Sequence, residues 1–194
     1  MTDDGRLWAV KYDAEKSNVF DEVFSRWADV DWLKKFFSSN VCDLEKYFRI
    51  TDVDIAIYDT IIDAEQMESL ILDINEDESL DELFRPLENL RSSEMVLGKE
   101  KAKGRRNKHS SWLRLYALRL QANYYIITGG AIKLTPTMQE REHTLAELSN
   151  LNKVRDKLIS LGIFDYDALK SCDKHYPFLY PQQQALPLFQ LLHE

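Results

Sequence analysis

A chain of 194 residues with 44% apolar and 30% charged side chains can bury one sizeable core and is too apolar to be disordered. Its longest apolar runs, such as "YYII" and "FLY", fall far short of the roughly 20 residues that cross a bilayer, and the acidic start "MTDDGRLWAV" lacks the apolar core of a secretory signal, so a cytoplasmic protein without a membrane partner is expected. The net charge of −8 conceals a step: residues 1–98 carry 10 Lys/Arg against 24 Asp/Glu, residues 99–119 carry eight cations against Glu100 alone, and residues 120–194 are nearly neutral, with 7 against 8.

Leu7 to Asp13, "LWAVKYD", is strand-like, with Trp8, Val10 and Tyr12 on one face. Val19, Phe20, Val23, Phe24 and Trp27 then recur at helical spacing, behind Ser17 or Asn18 as a cap for the orphan amides. A second short helix is predicted from Asp31 to about Phe37. "DLEKYFRI" fits a helical turn or an irregular strand. Val53, Ile55 and Ile57 alternate as in a strand, but from Ala56 onward Ile57, Ile61, Ile62, Met67, Leu70, Ile71 and Ile74 suit a helix face, with or without a break in its middle. "SLDELFRPLENL" predicts a further helix, interrupted or ended near Pro86, which lacks the amide a helix interior needs. Residues 14–98 are thus expected to be an acidic, mostly helical elaboration.

Strand signals follow. Gly98 to Ser111, "GKEKAKGRRNKHSS", has almost no apolar residues and is expected to be a mobile loop or a hairpin tip. In "WLRLYALRL" the alternation places Leu113, Leu115 and Ala117 on one face and Trp112, Arg114, Tyr116 and Leu118 on the other. "QAN" is a short turn. "YYIITGGAIKLT" is a second long strand, in which Gly129-Gly130 marks a bulge or a tight turn. Two or three antiparallel strands result. In "TLAELSNLNKVRDKLISLG", Thr144 and Glu147 have capping-box spacing, Leu145, Leu148, Leu151, Val154, Leu158 and Leu161 line one face, and Gly162 suits the position after the helix. Asp165 can cap a short helix in "FDYDALKSC". Residues 172–194, with three prolines, are expected to be an extended surface tail. The fold class predicted for residues 1–194 is a single α+β domain with a small, mostly antiparallel sheet, packed with N-terminal helices and a C-terminal helix.

The motifs exclude several chemistries. Cys42 and Cys172 are far apart and form no metal spacing, which suits unpaired buried thiols. His109, His143, His175 and His193 are scattered. No zinc, P-loop, dinucleotide or GxSxG signature occurs, and no metal or other cofactor is expected. What remains is the cationic segment joined to the strand pair. Arginine forks bridge phosphate oxygens and lysines supply point charges, so Lys101, Lys103, Arg105, Arg106 and Lys108 are candidate nucleic-acid contacts. Tyr116, Tyr124 and Tyr125 could stack on unpaired bases. RNA cleavage without a metal needs a base for the 2′-hydroxyl, cations for the crowded phosphate and an acid for the leaving oxygen. Arg114, Arg119 and Lys133 are candidates for charge stabilisation. Tyr116 or His109 is a candidate for proton transfer, the tyrosine only if adjacent cations lower its pKa. The same composition also fits a solvated loop, with Arg114 and Tyr116 paired to acids of the helical half and Lys133 guarding a strand edge.

A strand, then helices, then "RLYALRL", "QAN", "YYIITGGAIKLT" and a closing helical segment resembles the RelE/ParE toxin superfamily, and within it the HigB-like, phage-derived host-inhibition branch. Arg114-Leu115-Tyr116 takes the place of that branch's Arg-Tyr strand, and Gly130-Ala131-Ile132-Lys133 with Thr135 that of its following strand. The likeness covers about residues 84–150, and Leu7 to Asp13 loosely. It implies a RelE/ParE-like core and a toxin of a toxin–antitoxin pair that cuts mRNA at the ribosome. Arg114, Tyr116, Arg119 and Lys133 would then be catalytic, Tyr125 would join the loop cations in binding RNA, and an antitoxin protein would be the partner. A non-catalytic protein-interaction module and a nucleic-acid binder without cleavage are the alternatives on the same scaffold.

Overall fold

The side chain of Asn18 accepts from the amides of Phe20 and Asp21, so the first helix starts where a short polar residue can satisfy its orphan donors. Asp29 and Asp52 cap the second and fourth helices in the same way, accepting from Trp32 and Asp54. The resulting helices are α1 (Val19–Ala28), α2 (Val30–Ser39), α3 (Val41–Phe48), α4 (Val53–Leu72), α5 (Glu142–Ser160) and α6 (Tyr166–Ser171). The strands are β1 (Leu7–Val10), β2 (Phe84–Pro86), β3 (Gly98–Lys103), β4 (Leu113–Gln121), β5 (Tyr124–Ile132) and β6 (Leu179–Pro181). This computed structural model describes residues 5–12, 17–75, 77–87, 97–104, 110–171 and 179–181. Arg105, Arg106, Lys108 and His109 therefore lie outside the described residues, as does most of the segment 172–194.

The strands form a mixed sheet in the order β2-β3-β4-β5-β1-β6. β1 runs parallel to β5, and every other pairing is antiparallel. The fold class is α+β. Helices α1 to α4 pack on one face of the sheet, where Phe20, Trp27, Phe37 and Leu44 share a core with Leu113, Leu115, Ala117 and Ile127. α5 and α6 lie on the other, where Leu151, Val154, Leu158 and Leu169 meet Tyr116, Leu118, Leu120 and Ile126. The acidic segment is thus packed on the sheet. Among the described residues no helix is long and apolar enough to cross a membrane.

Several expectations are corrected. The segment from Gly98 is not a loop as far as Lys103. It is β3, paired to β4 from Gly98↔Arg119 to Lys103↔Arg114. The Leu80–Leu87 region is not helical beyond a 3-10 turn at Leu80–Glu82. Its continuation is β2, an edge strand, where the missing amide of Pro86 is tolerated. α4 starts at Val53 and runs unbroken for 20 residues. Trp112 does not share the face of Arg114. It is buried against Phe37 and Phe48 and donates from Nε1 to Thr60 Oγ1 at 2.9 Å. The expected capping box does not form. α5 begins at Glu142, so Thr144 lies inside the first turn and donates to the carbonyls of Met138 and Arg141. Leu145 is exposed, and so is Cys42, contrary to the reading of a buried thiol.

Both glycines of the pair admit helices. A Cβ on Gly130 would stand 2.6 Å from Val23 Cγ1 of α1, and one on Gly129 would stand 1.8 Å from Glu147 Oε2 of α5. Adjacent strand residues point to opposite faces, so two consecutive glycines let a helix approach from each side. The register shift next to them, between Tyr116 and Ala117, is the bulge that the pair predicts.

Candidate nucleic-acid interface

Strand register assembles the cations. Lys101 stands opposite Tyr116, Lys103 opposite Arg114, and Arg114 opposite Ala131. Directly opposed residues share a face, with Cβ atoms about 4.5–5.5 Å apart. Lys133, two residues past Ala131, returns to that face, and its amide extends the ladder to the Trp112 carbonyl. α5 covers only part of this face. The uncovered part is a cleft of about 460 Å³, lined by Lys101, Lys103, Arg114, Tyr116 and Lys133 and bounded by the turn Pro136–Gln139 and by Leu148. Five of the predicted site residues therefore meet in one concavity.

Their hydrogen bonds orient the charges without neutralising them. Arg114 Nη1 donates to the carbonyls of Ser111 and Leu113, each at 2.7 Å. Lys101 Nζ donates to the Leu87 carbonyl at 3.1 Å, and Lys133 Nζ to the Thr135 carbonyl at 2.7 Å. Among the described residues none of the four cations is ion-paired. Burial first, then repulsion from Arg114, lowers the pKa of each of the three lysines. Asp63 opposes this at Lys103 and Glu140 at Lys133. Burial likewise lowers Arg114, against Tyr116 and Asp63. Arg114 thus disfavours the charged form of each of the three lysines around it, so positive charge is concentrated in the cleft.

Tyr116 does not meet the condition for a base. Burial raises its pKa, and the opposing pull of Arg114 does not cancel this. The phenol is 1% exposed, and among the described residues its hydroxyl has no hydrogen-bond partner. The phenol therefore keeps its proton.

Arg119 and Tyr125 stand apart from the cleft. Both reach Asp81 on the helix-covered face: Arg119 Nη2 lies 2.9 Å from Oδ2, and the Tyr125 hydroxyl donates to Oδ1 at 2.6 Å. The Asn123 amide completes this network, which ties the β4–β5 turn to the 3-10 turn. Tyr124 packs its ring on Tyr166 at 4.2 Å.

Sequence reasoning gave Glu147 a capping role and missed its burial against the sheet. Its carboxylate lies over Gly129, the cross-strand partner of Tyr116, and burial raises its pKa to about 7 despite the opposing Arg26 charge. The Gly129 beside it was a usable signal, since a carboxylate needs a residue without a side chain to approach the strand so closely. Among the described residues no group of three or more His, Cys, Asp or Glu could hold a metal ion. Comparisons with protein-family models, curated proteins and solved structures find no match to this chain.

Proposed function

We propose that this protein is an RNA-directed toxin of a toxin–antitoxin pair, on a RelE/ParE-like core resembling the HigB branch. The observation that carries this reading is the cleft in which Lys101, Lys103, Arg114 and Lys133 converge with no ion pair among the described residues. A polyanion entering it relieves mutual repulsion and releases counterions, so binding is favourable and salt-dependent. The element order supports the same reading: an N-terminal strand, helices, a meander and a closing helix. In cleavage, Arg114 and Lys133 would stabilise the charge that builds on the phosphate after attack by the 2′-hydroxyl. Tyr116 would donate a hydrogen bond. Arg119 and Tyr125 would serve the fold.

A second reading, RNA binding without cleavage, is favoured by one observation: the tyrosine of the cleft has its pKa raised. Induction of the wild type and of the Arg114→Gln, Lys133→Gln variant in a bacterial host separates the two. The toxin reading expects growth arrest and fragmented mRNA with the wild type only. Bound but intact RNA selects the second reading, and neither binding nor arrest rejects both.

A further inference from the structure

Tyr116 lines the cleft, and its hydroxyl is buried with no hydrogen-bond partner among the described residues. Such a group costs about 1–3 kcal/mol unless something in the functional state accepts from it. Around it Arg114 uses Nη1 for two backbone carbonyls, which fixes the plane of the fork. Lys101 and Lys133 lean on carbonyls that cancel none of their charge. A diester inside a nucleic-acid chain offers this cluster one negative charge and two free oxygens. A terminal phosphate offers a charge of about −1.5 to −2 and three strong acceptor oxygens.

We propose that Arg114, Tyr116, Lys101, Lys103 and Lys133 form a seat for a terminal phosphate group, with the Tyr116 hydroxyl donating to one of its oxygens. The ligand class is a phosphate monoester, either at the end of an RNA strand or on a small molecule. The inference rests on the reading of the cleft as a polyanion site and names the part of the ligand that enters deepest. Cation count alone asks only for negative charge. The orphan phenol adds a demand for an acceptor at the inner wall.

The test uses the full chain at pH 7.5 and constant ionic strength. Inorganic phosphate is titrated calorimetrically, and short oligoribonucleotides with a 5′-phosphate, a 3′-phosphate or neither are compared by fluorescence anisotropy. The expected result is saturable phosphate binding and about tenfold tighter binding of one phosphorylated end. Tyr116→Phe and Lys103→Gln should each remove most of that preference. Tyr116→Phe should melt no lower than wild type, since it deletes an unsatisfied group, and Lys103→Gln alters a surface side chain and guards against misfolding of the first variant. Saturable phosphate binding that both variants lose, with no RNA binding, would keep the seat, assign it to a small phosphate ester and reject the RNA reading. RNA binding indifferent to its ends, with no phosphate binding, would overturn the seat and leave the RNA reading standing. No binding of either overturns both.

Discussion

Each face of the central hairpin carries an arginine and a tyrosine, and the two pairs have opposite surroundings. On the face covered by α1 to α4, Arg119 and Tyr125 share the carboxylate of Asp81. On the other face Arg114 and Tyr116 make no hydrogen bond or ion pair with a carboxylate among the described residues, and two lysines from β3 and one from beyond β5 join them. The acidic helical segment has charge to spare; Asp81 pairs directly with Arg119, whereas Asp63 acts on Arg114 and Lys103 only as a nearby charge. A pair neutralised from within stabilises the fold. A cluster left positive costs stability, and under the proposed reading that cost is offset when a polyanion binds.

The largest expected effect lies in the neutralised network. Asp81→Ala strands Arg119 and the Tyr125 phenol in a half-buried site and should lower stability by about 3 kcal/mol in urea unfolding. An Arg114→Gln loss of equal size would erase the contrast between the faces. The network also has a pH signature. Burial raises the pKa of Asp81, but hydrogen bonds from Tyr125 and Asn123, with the Arg119 charge, outweigh it and hold the carboxyl low. Its stabilisation is therefore present above the unfolded carboxyl value of about 3.9 and is lost as pH falls through the lower folded value. Asp81→Asn should flatten that acid limb.

Next come the glycines. Gly130→Ala drives a methyl into Val23 and Trp27, which are packed core, and should cost about 1–3 kcal/mol. Gly129→Ala meets the end of a carboxylate that can swing aside, so its cost should be smaller; the reverse order would contradict the placement of α1 and α5.

Glu147 gives a third effect. Its folded pKa of about 7 exceeds the ordinary carboxyl value, so the folded state holds the extra proton and stability falls as pH rises through that window. Glu147→Gln should gain roughly 1–2 kcal/mol at pH 8 and little at pH 4. A gain equal at both values would place the carboxylate in solvent. The smallest effect belongs to the open cluster. Lys103→Gln removes a repelled charge and should change stability by no more than about 0.5 kcal/mol, in the upward direction. A clear loss would reveal a structural partner for that lysine.

Much of this was legible in the sequence where one face is apolar. Leu113, Leu115 and Ala117 against Arg114, Tyr116 and Leu118 fixed the two faces of β4, and Asn18 and Gly162 marked helix ends. β3 was hidden because "KEKAK" looks soluble. Its alternation was present, with Lys99, Lys101 and Lys103 outward and Glu100 and Ala102 inward, but a buried glutamate masked the period. Alternation alone puts Arg119 on the face of Leu113, Leu115 and Ala117, opposite Arg114, so grouping the two by charge went against the strand period. Tyr125 is even-spaced from Lys133, and only the register shift between Tyr116 and Ala117, which leaves Thr128 as an extra residue of β5, moves it to the other face. Thr144 and Glu147 matched a capping box by spacing alone, whereas the residue that precedes α5 is Arg141, three positions before Thr144. Residue types at the site could be named in advance, but which of them share a surface depended on pairings distant in sequence.

The central claim is that the cations of β3, β4 and Lys133 form an open, unneutralised surface for a polyanion. Its most direct measurement is the salt dependence of binding to a single-stranded RNA, compared between the wild type, Arg114→Gln, Lys133→Gln and Arg119→Gln. The account predicts that each cleft variant lowers the slope of log K against log salt by about 0.7, the value for one lost phosphate contact, while Arg119→Gln leaves it unchanged. Equal slopes for all four proteins, or a change confined to Arg119→Gln, would contradict it.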